Sequence, residues 1–452
     1  MAGDMPGAIE TYQALLRYGA GQADIPIQVS AQNKIARVMM FSGRLEEMEQ
    51  YLLSAEKLAR EYAETTGLAE MFTVKCIACN FTGDFASGVQ YMAEAAQIGK
   101  ELNVQTQIVY GLTHRAMMLT NMTRFDEGWG AAQEASEAIE ATCNLLHKAE
   151  LLGAIFVHHY LRQGDMAAAQ QSAQEGVAIA RRIGYPYAEC MVTFMLGHLC
   201  YLRGEYEQAI SWLEQSRQIG RAMGMPMLPV YGLAQLGSIY QQINGPDSEE
   251  AQQYYAQALA LLDSPMGSIA GGHGFADVGF GELALGHADH AGELFQKGLT
   301  IPSTQGWLNR PELLIGLADV ALAQDDLDEA ARHIGEARQY VDDRAMKHFY
   351  PAVAFAEARL SLARGDHEQA LAQLAQAEAQ ALAMGMRPIV WQTRAESANV
   401  LARLGRMAEA AAKRSDAQAM IAEIAGLFKD ERLRAKFVES ATMAFYLRTP
   451  DP

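Results

Sequence analysis

Basic residues are in short supply in this chain of 452, where 36 Lys and Arg stand against 54 Asp and Glu for a net charge of −18. Phosphate backbones are bound by clustered cations that displace counterions, so direct nucleic-acid contact through this segment is excluded. No run of 18 apolar residues is present to span a bilayer. The first residues carry Asp4 and Glu10 with no basic stretch, unlike a signal peptide, and the cytoplasm is the expected compartment. Cysteines number only five, scattered at Cys76, Cys79, Cys143, Cys190 and Cys200, which is no disulfide framework.

Catalytic signatures are missing as well. The chain has no Walker lysine, GxSxG elbow or HExxH helix, so neither enzyme activity nor a cofactor is expected. Cys76 and Cys79 form a CxxC, but Cys76 falls where a repeat demands a small residue. His158-His159 and His287/His290 lack a carboxylate or thiol at ligand spacing and read as surface histidines, so no metal is expected.

What the chain has is a period. Turn positions fall at Gly3, Gly43, Gly83, Thr123, Gly164, Gly204, Gly245, Gly286, Asp325, Gly365 and Gly405, separated by 39 to 41 residues at every step. Seven or eight residues before each sits a small or slim residue: Ala36, Cys76, Ala116, Val157, Gly197, Gly237, Gly279, Ala318, Ala358 and Ala398. Five after most turns comes another, as in Ala169, Ala209, Ala291 and Ala330, marking where two helices cross closely. Between turns, apolar residues recur at three- and four-residue spacing and no segment alternates like a strand. A helix-turn-helix unit of this size cannot bury its apolar face alone, so neighbours must stack. The expected fold is all-α, a right-handed α-solenoid of ten to eleven stacked repeats.

Leu236-Gly237 with Tyr240, then Ala291 with Phe295, follow the grammar of the tetratricopeptide (TPR) family, which the chain resembles. That family's unit is 34 residues, so these longer units imply longer helices and a different superhelix. The closing stretch, with Ile421, Ile424, Ala425, Asp430, Leu433, Arg434 and Phe437, is similar to the last helix of the solenoid arms of LuxR-class ATP-dependent activators and multidomain nucleotide cyclases. It reads equally as a terminal cap. The domain reading is an array over 1–425, with residues 426–452 as capping helix and tail.

Residues 1–21 read as a turn and a second helix without its first, which marks either one arm of a longer polypeptide or a helix serving as its own cap. Gly267 to Gly286 holds seven glycines where a first helix should run, and glycine costs a helix interior about 1 kcal/mol relative to alanine. The unit at 263–300 is therefore expected to be weak.

In the TPR family the first helices line a concave groove, and the resemblance implies that the residue after each small packing position points into it. The partner-binding candidates are Arg37, His158, His198, Phe280, Asp319, Arg359 and Asn399, with Asn33, Asn80, Tyr201 and Gln241 three or four residues away. The function implied is a non-catalytic scaffold holding a protein or peptide partner in that groove. The leading version is the regulatory arm of a multidomain bacterial signalling protein, with an upstream ATPase or cyclase module or a transcription activator. The alternatives are a free-standing adaptor, or a small-molecule effector receptor near His273 and Phe280.

Overall fold

A computed structural model describes residues 5–42, 44–223, 230–263, 271–301 and 308–448. Among these the chain is helical throughout, and helices alternate between two layers. The first helices of the repeats are α2 (Ile25–Phe41), α4 (Thr65–Thr82), α6 (Gln105–Asn121), α11 (Pro186–Leu202), α13 (Val230–Asn244), α15 (Gly271–Ala284), α17 (Arg310–Ala323), α19 (Tyr350–Ala363) and α21 (Arg387–Arg403). One further first helix is split into α8 (Leu145–Glu150) and α9 (Val157–Gln163) by a π-helical turn, Leu151–Phe156. The second helices are α1 (Met5–Gly21), α3 (Leu45–Glu61), α5 (Phe85–Glu101), α7 (Phe125–Thr142), α10 (Met166–Ile183), α12 (Tyr206–Ala222), α14 (Glu249–Leu262), α16 (Ala288–Thr300), α18 (Leu327–Asp343), α20 (His367–Met384) and α22 (Met407–Ala425), and α23 (Glu431–Arg448) follows. The architecture is the α-solenoid that the period implies.

The turns confirm the period residue by residue. Every described turn position within it has a left-handed backbone: Gly83, Thr123, Gly164, Gly204, Gly245, Gly286, Asp325, Gly365 and Gly405 all have positive φ. Gly3 and Gly43 lie outside the described residues. A second set of left-handed turns, between repeats, falls at Ala23, Ala63, Asn103, Cys143, Gly184, Ala345 and Gly385. Most of these are not glycine, which hides them from a reading keyed to glycine.

Packing between layers explains Gly279 and Gly281 of α15. A Cβ on Gly279 would lie 2.5 Å from the Phe295 ring, and one on Gly316 would lie 2.4 Å from the same ring. The Tyr255 ring is held likewise between Gly237 and Gly281, with 2.5 Å to a Cβ at either. Aromatic rings of the second helices are thus pressed onto the backbone of two successive first helices, and only glycine leaves room. Phe295 is fully buried as a result.

The array coils tightly enough to meet itself. Arg162 Nε donates to the Arg344 carbonyl at 2.9 Å, and Arg344 Nε donates to Thr123 Oγ1 at 2.8 Å. Arg387 donates to the Arg203 carbonyl at 3.1 Å. Glu207 accepts from the backbone N–H of Lys429 at 2.5 Å and of Asp430 at 3.2 Å, placing a carboxylate at the start of α23, where the helix dipole favours it. These contacts join residues 182 to 223 positions apart, four and a half to five and a half repeats. The superhelix therefore completes a turn in about five repeats, and the within-repeat turns of one coil seat against the between-repeat turns of the next. One apolar core runs through both coils, combining Leu199, Tyr206 and Leu213 with Trp391, Ile424 and Phe437. The helix expected as a terminal cap, α23, packs on α13 of the preceding coil as well as on α21 and α22.

Alanine in the left-handed region costs about 1–2 kcal/mol because its Cβ crowds the following carbonyl. Ala63 is exposed with φ 54°. Ala63→Gly is expected to raise stability by up to about 1 kcal/mol once the greater freedom of glycine in the unfolded chain is subtracted. Denaturant unfolding checks this; a loss of stability would show that the turn carries no strain.

Candidate functional site

A helix that faces the axis of a tight coil presents one stripe to it, at spacings of three and four residues. The expected register, one residue after each small packing position, holds His158 on α9, His198 on α11, Asp319 on α17 and Arg359 on α19. Further polar residues of the first-helix layer are Tyr110 and His114 on α6, His147 and Glu150 on α8, Tyr187 on α11, His273 and Asp277 on α15 and Glu312 on α17, with His348 just before α19. These were not singled out from the sequence as groove residues. The signal was partial: Tyr110 and His114, His147 and Glu150, and His273, Asp277 and Phe280 follow one another at three or four residues, whereas Tyr187, Glu312 and His348 stand seven or more from the next member. The sequence reading adds only Asn33, Asn80, Tyr201 and Gln241, three or four residues from the register positions.

Curvature brings repeats that are not adjacent into contact. The His198 and His273 rings stand 5.7 Å apart, edge to face, although one whole repeat separates their helices. His273 Nδ1 is 3.5 Å from Glu312 Oε2, and the Asn309 amide donates to the same carboxylate at 2.9 Å while also contacting His273. Gln235 donates to His198 Nδ1 at 2.8 Å, and Ser238 donates to Asp277 Oδ1 at 2.9 Å. His273 and Glu312 retain about a quarter of their side-chain exposure, 23% and 27%. Both side chains are therefore largely enclosed.

Enclosure sets the charge state. Burial holds His198 down to about 3, with the charge of His273 adding to it, and holds His158 and His348 down to about 4. Burial pushes Asp277 up to about 7, helped by Glu312 and opposed by His273 and the Ser238 hydroxyl. Burial also drives Glu312 up, but His273 and Asn309 outweigh it and hold the carboxyl below its ordinary value. At neutral pH His158, His198 and His348 are therefore neutral imidazoles, standing among amides and a few charged groups.

The remaining candidates are distributed along the wall. Arg37 is exposed on α2. Asn33 is buried and donates to the Gly67 carbonyl at 2.9 Å, so it bridges to the next repeat. Gln241 is buried between the Gly281 carbonyl, 3.1 Å, and the Tyr255 hydroxyl, 3.2 Å. Asp319 and Arg359 form an ion pair at 2.6 Å. Tyr201 is half-buried, as are Asn399 and Phe280, and Phe280 packs edge-on against Phe295 at 5.0 Å. Asn80 lies on α4, and its side chain is outside what the structure describes.

Two readings of the sequence change. His287 and His290 do have a carboxylate partner, because Glu282 on the preceding helix approaches them at 2.8 and 3.3 Å. His158 is not on an outer surface: it lies half-buried on the inner wall and donates from Nδ1 to the Ala154 carbonyl at 2.7 Å. Cys76 and Cys79 are both buried, which pushes each thiol well above its ordinary value, Cys79 to about 12. A cleft of about 490 Å³ opens elsewhere, between α22 and α23, lined by Ile421, Ala425, Arg434 and Val438. It is open and mostly apolar, whereas hydrogen-bonding groups from several repeats converge on the inner wall.

No protein-family model and no curated protein matches the chain. Among solved structures it is similar to a Rap protein complexed with Competence and Sporulation Factor, with 13% identity, a TM-score of 0.53 and coverage of 89% of this chain and 100% of that one. The Rap conjugation gene regulator of plasmid pLS20, in complex with the Phr* peptide, is 13% identical with a TM-score of 0.45, covering 79% of this chain and 96% of its own. The first likeness establishes a shared fold. No described helix is long and apolar enough to cross a membrane.

The histidines predict an acid response. A histidine whose folded value is depressed stabilises the fold above its unfolded value, near 6.5, and that stability is lost as pH falls through the folded value. The melting temperature is expected to fall between about pH 6.5 and pH 4, and to fall less steeply in His198→Asn. Parallel curves for the two proteins would show that His198 protonates freely in the folded state.

Proposed function

We propose that this chain is a non-catalytic protein-interaction scaffold that holds an extended segment of a partner within the lumen of its superhelix. The observation that carries this reading is the convergence of Gln235, Ser238, Asp277, His273, Asn309 and Glu312, from three repeats, on one enclosed wall. Neutral imidazoles and amides can exchange hydrogen bonds with a peptide main chain without the desolvation cost of bringing several charges together. The wall is mixed in sign, with Asp277 and Glu312 near the histidines and Arg359 paired to Asp319, so it does not suit a single highly charged terminus. The Rap protein of like fold was solved with a separate factor bound, which accords with a solenoid whose work is to bind.

The finer form of the proposal is a regulatory arm of a multidomain signalling protein, in which partner binding biases the array between two arrangements and so alters an attached ATPase, cyclase or activator module. The similarity of residues 421–437 to such arms supports it. In that form residues 1–425 are the array, residues 426–452 its cap, and the unit at 263–300 its most yielding part. In the full-length protein, partner binding would then change nucleotide affinity; unchanged affinity would leave a free-standing adaptor. The cytoplasm is the compartment proposed.

Peptides selected on the chain from a randomised display library test the lumen directly. They are expected to bind His198→Ala and Asp277→Ala at least about tenfold more weakly than the parent, a loss of about 1.4 kcal/mol or more. They should bind equally to Glu439→Ala on α23. Equal binding to all three variants would place the site elsewhere.

A further inference from the structure

Outside the cluster around His198, a second group of titratable side chains is sealed into the wall of the array. His114 on α6 and His147 and Glu150 on α8 bring one ligand atom each to within 4.8 Å of one another. His114 and His147 are buried, and the Glu150 side chain is 12% exposed. The two helices belong to successive repeats, so the group bridges a repeat boundary.

Each of the three side chains is already aimed by a further contact. His114 Nδ1 donates to the Tyr110 carbonyl at 3.1 Å, which fixes the proton on Nδ1 and leaves the Nε2 lone pair available. The Tyr110 ring stacks on His114 at 4.0 Å and 11°, holding the plane of the imidazole. The Tyr185 hydroxyl donates to Glu150 Oε1 at 2.7 Å, leaving Oε2 facing His147 Nδ1 at 2.9 Å. Ligating histidines almost always donate their other ring N–H to a carbonyl or carboxylate, and ligating carboxylates are themselves hydrogen-bonded. Both arrangements are built here. In addition, the helix goes straight from Glu150 into the π-helical turn Leu151–Phe156, and such turns occur frequently at functional sites.

We propose that His114, His147 and Glu150 form a three-ligand site for a divalent transition-metal cation, zinc fitting best, which clamps α6 to α8 across the repeat boundary. Two imidazoles and one carboxylate are an established ligand set for zinc, with distances of about 2.0–2.2 Å and a fourth position left for water. The cation takes the place of the hydrogen bond between His147 Nδ1 and Glu150 Oε2, and the ring proton of His147 then sits on Nε2. The three ligand atoms already lie within 4.8 Å of one another, so a small further approach brings them to zinc-ligand distance. The competing arrangement is a metal-free hydrogen-bonded network, Tyr185 to Glu150 to His147, that ties the helices by itself.

The test is titration of the EDTA-treated full chain with ZnCl2, followed by calorimetry, beside the variants Glu150→Gln and His114→Gln. The expected result is one equivalent bound by the parent, weakened at least about 100-fold in either variant. Binding should be unchanged in His198→Gln and in Glu282→Gln, which remove a lumen histidine and the carboxylate of the exposed histidine pair. Loss of binding in His198→Gln or Glu282→Gln alone, or no site above the weak affinity of exposed histidines, would overturn the proposal. Should Glu150→Gln fail to fold, the absorption of Co²⁺ bound to the parent decides. Intense visible bands mark a four-coordinate nitrogen and oxygen site as expected, whereas weak six-coordinate bands or none contradict it.

Discussion

The contact on which the architecture depends is that between successive coils of the superhelix. Repeat proteins are held by neighbour-to-neighbour interfaces, and nothing in such a stack requires distant repeats to meet. In this chain they do meet, through Arg162 and Arg344, Arg387 and Arg203, and Glu207 and the start of α23. The arginines donate to backbone carbonyls at turns, where helix ends leave acceptors without intrahelical partners. An apolar core then fills the space behind them, so that Tyr206, Phe428 and Phe437 pack as one aromatic group although more than 220 residues separate the first two. Coil-to-coil contact leaves residues such as His198, His273 and Glu312 largely enclosed.

From enclosure follows the chemistry of the wall. A histidine on an open concave surface would titrate near its ordinary value; His158, His198 and His348 are pushed to stay neutral because protein surrounds them. Asp277 shifts the other way for the same reason. The site is consequently rich in hydrogen-bonding capacity and poor in net charge, on a chain whose overall balance is strongly acidic. The bulk charge of −18 therefore says little about this enclosed wall.

The fold was largely legible because it rests on local rules. Turn glycines at 40-residue steps, small residues seven before them and Ala209 with Leu213 after them all sit where the period placed them. The between-repeat turns escaped because Ala23, Ala63 and Ala345 carry left-handed backbones without the glycine that usually announces one. Gly279 and Gly281 of α15 were legible as irregular but not as functional packing, since their reason is the width of Phe295 and Tyr255 rings arriving from other helices. His198 and His158 lie one residue after the small packing positions, in the register expected to face inward. Asp277, Glu312 and His114 were not legible in this way, because their partners come from repeats one or two units away and depend on a curvature that no single repeat encodes. The pairing of Glu282 with His287 and His290 was missed for a simpler reason: the carboxylate lies before the turn and the histidines at and beyond it.

Small-angle X-ray scattering of the full chain in solution tests coil-to-coil closure most directly. A superhelix closing every five repeats should have a radius of gyration only a few Å above the roughly 22 Å of a compact chain of this length. An open stack of eleven repeats, each advancing about 10 Å, would instead give about 30 Å or more. The first result is the one predicted. The second would mean that the coils stand apart, and that the enclosed wall, with its neutral histidines, does not exist as described.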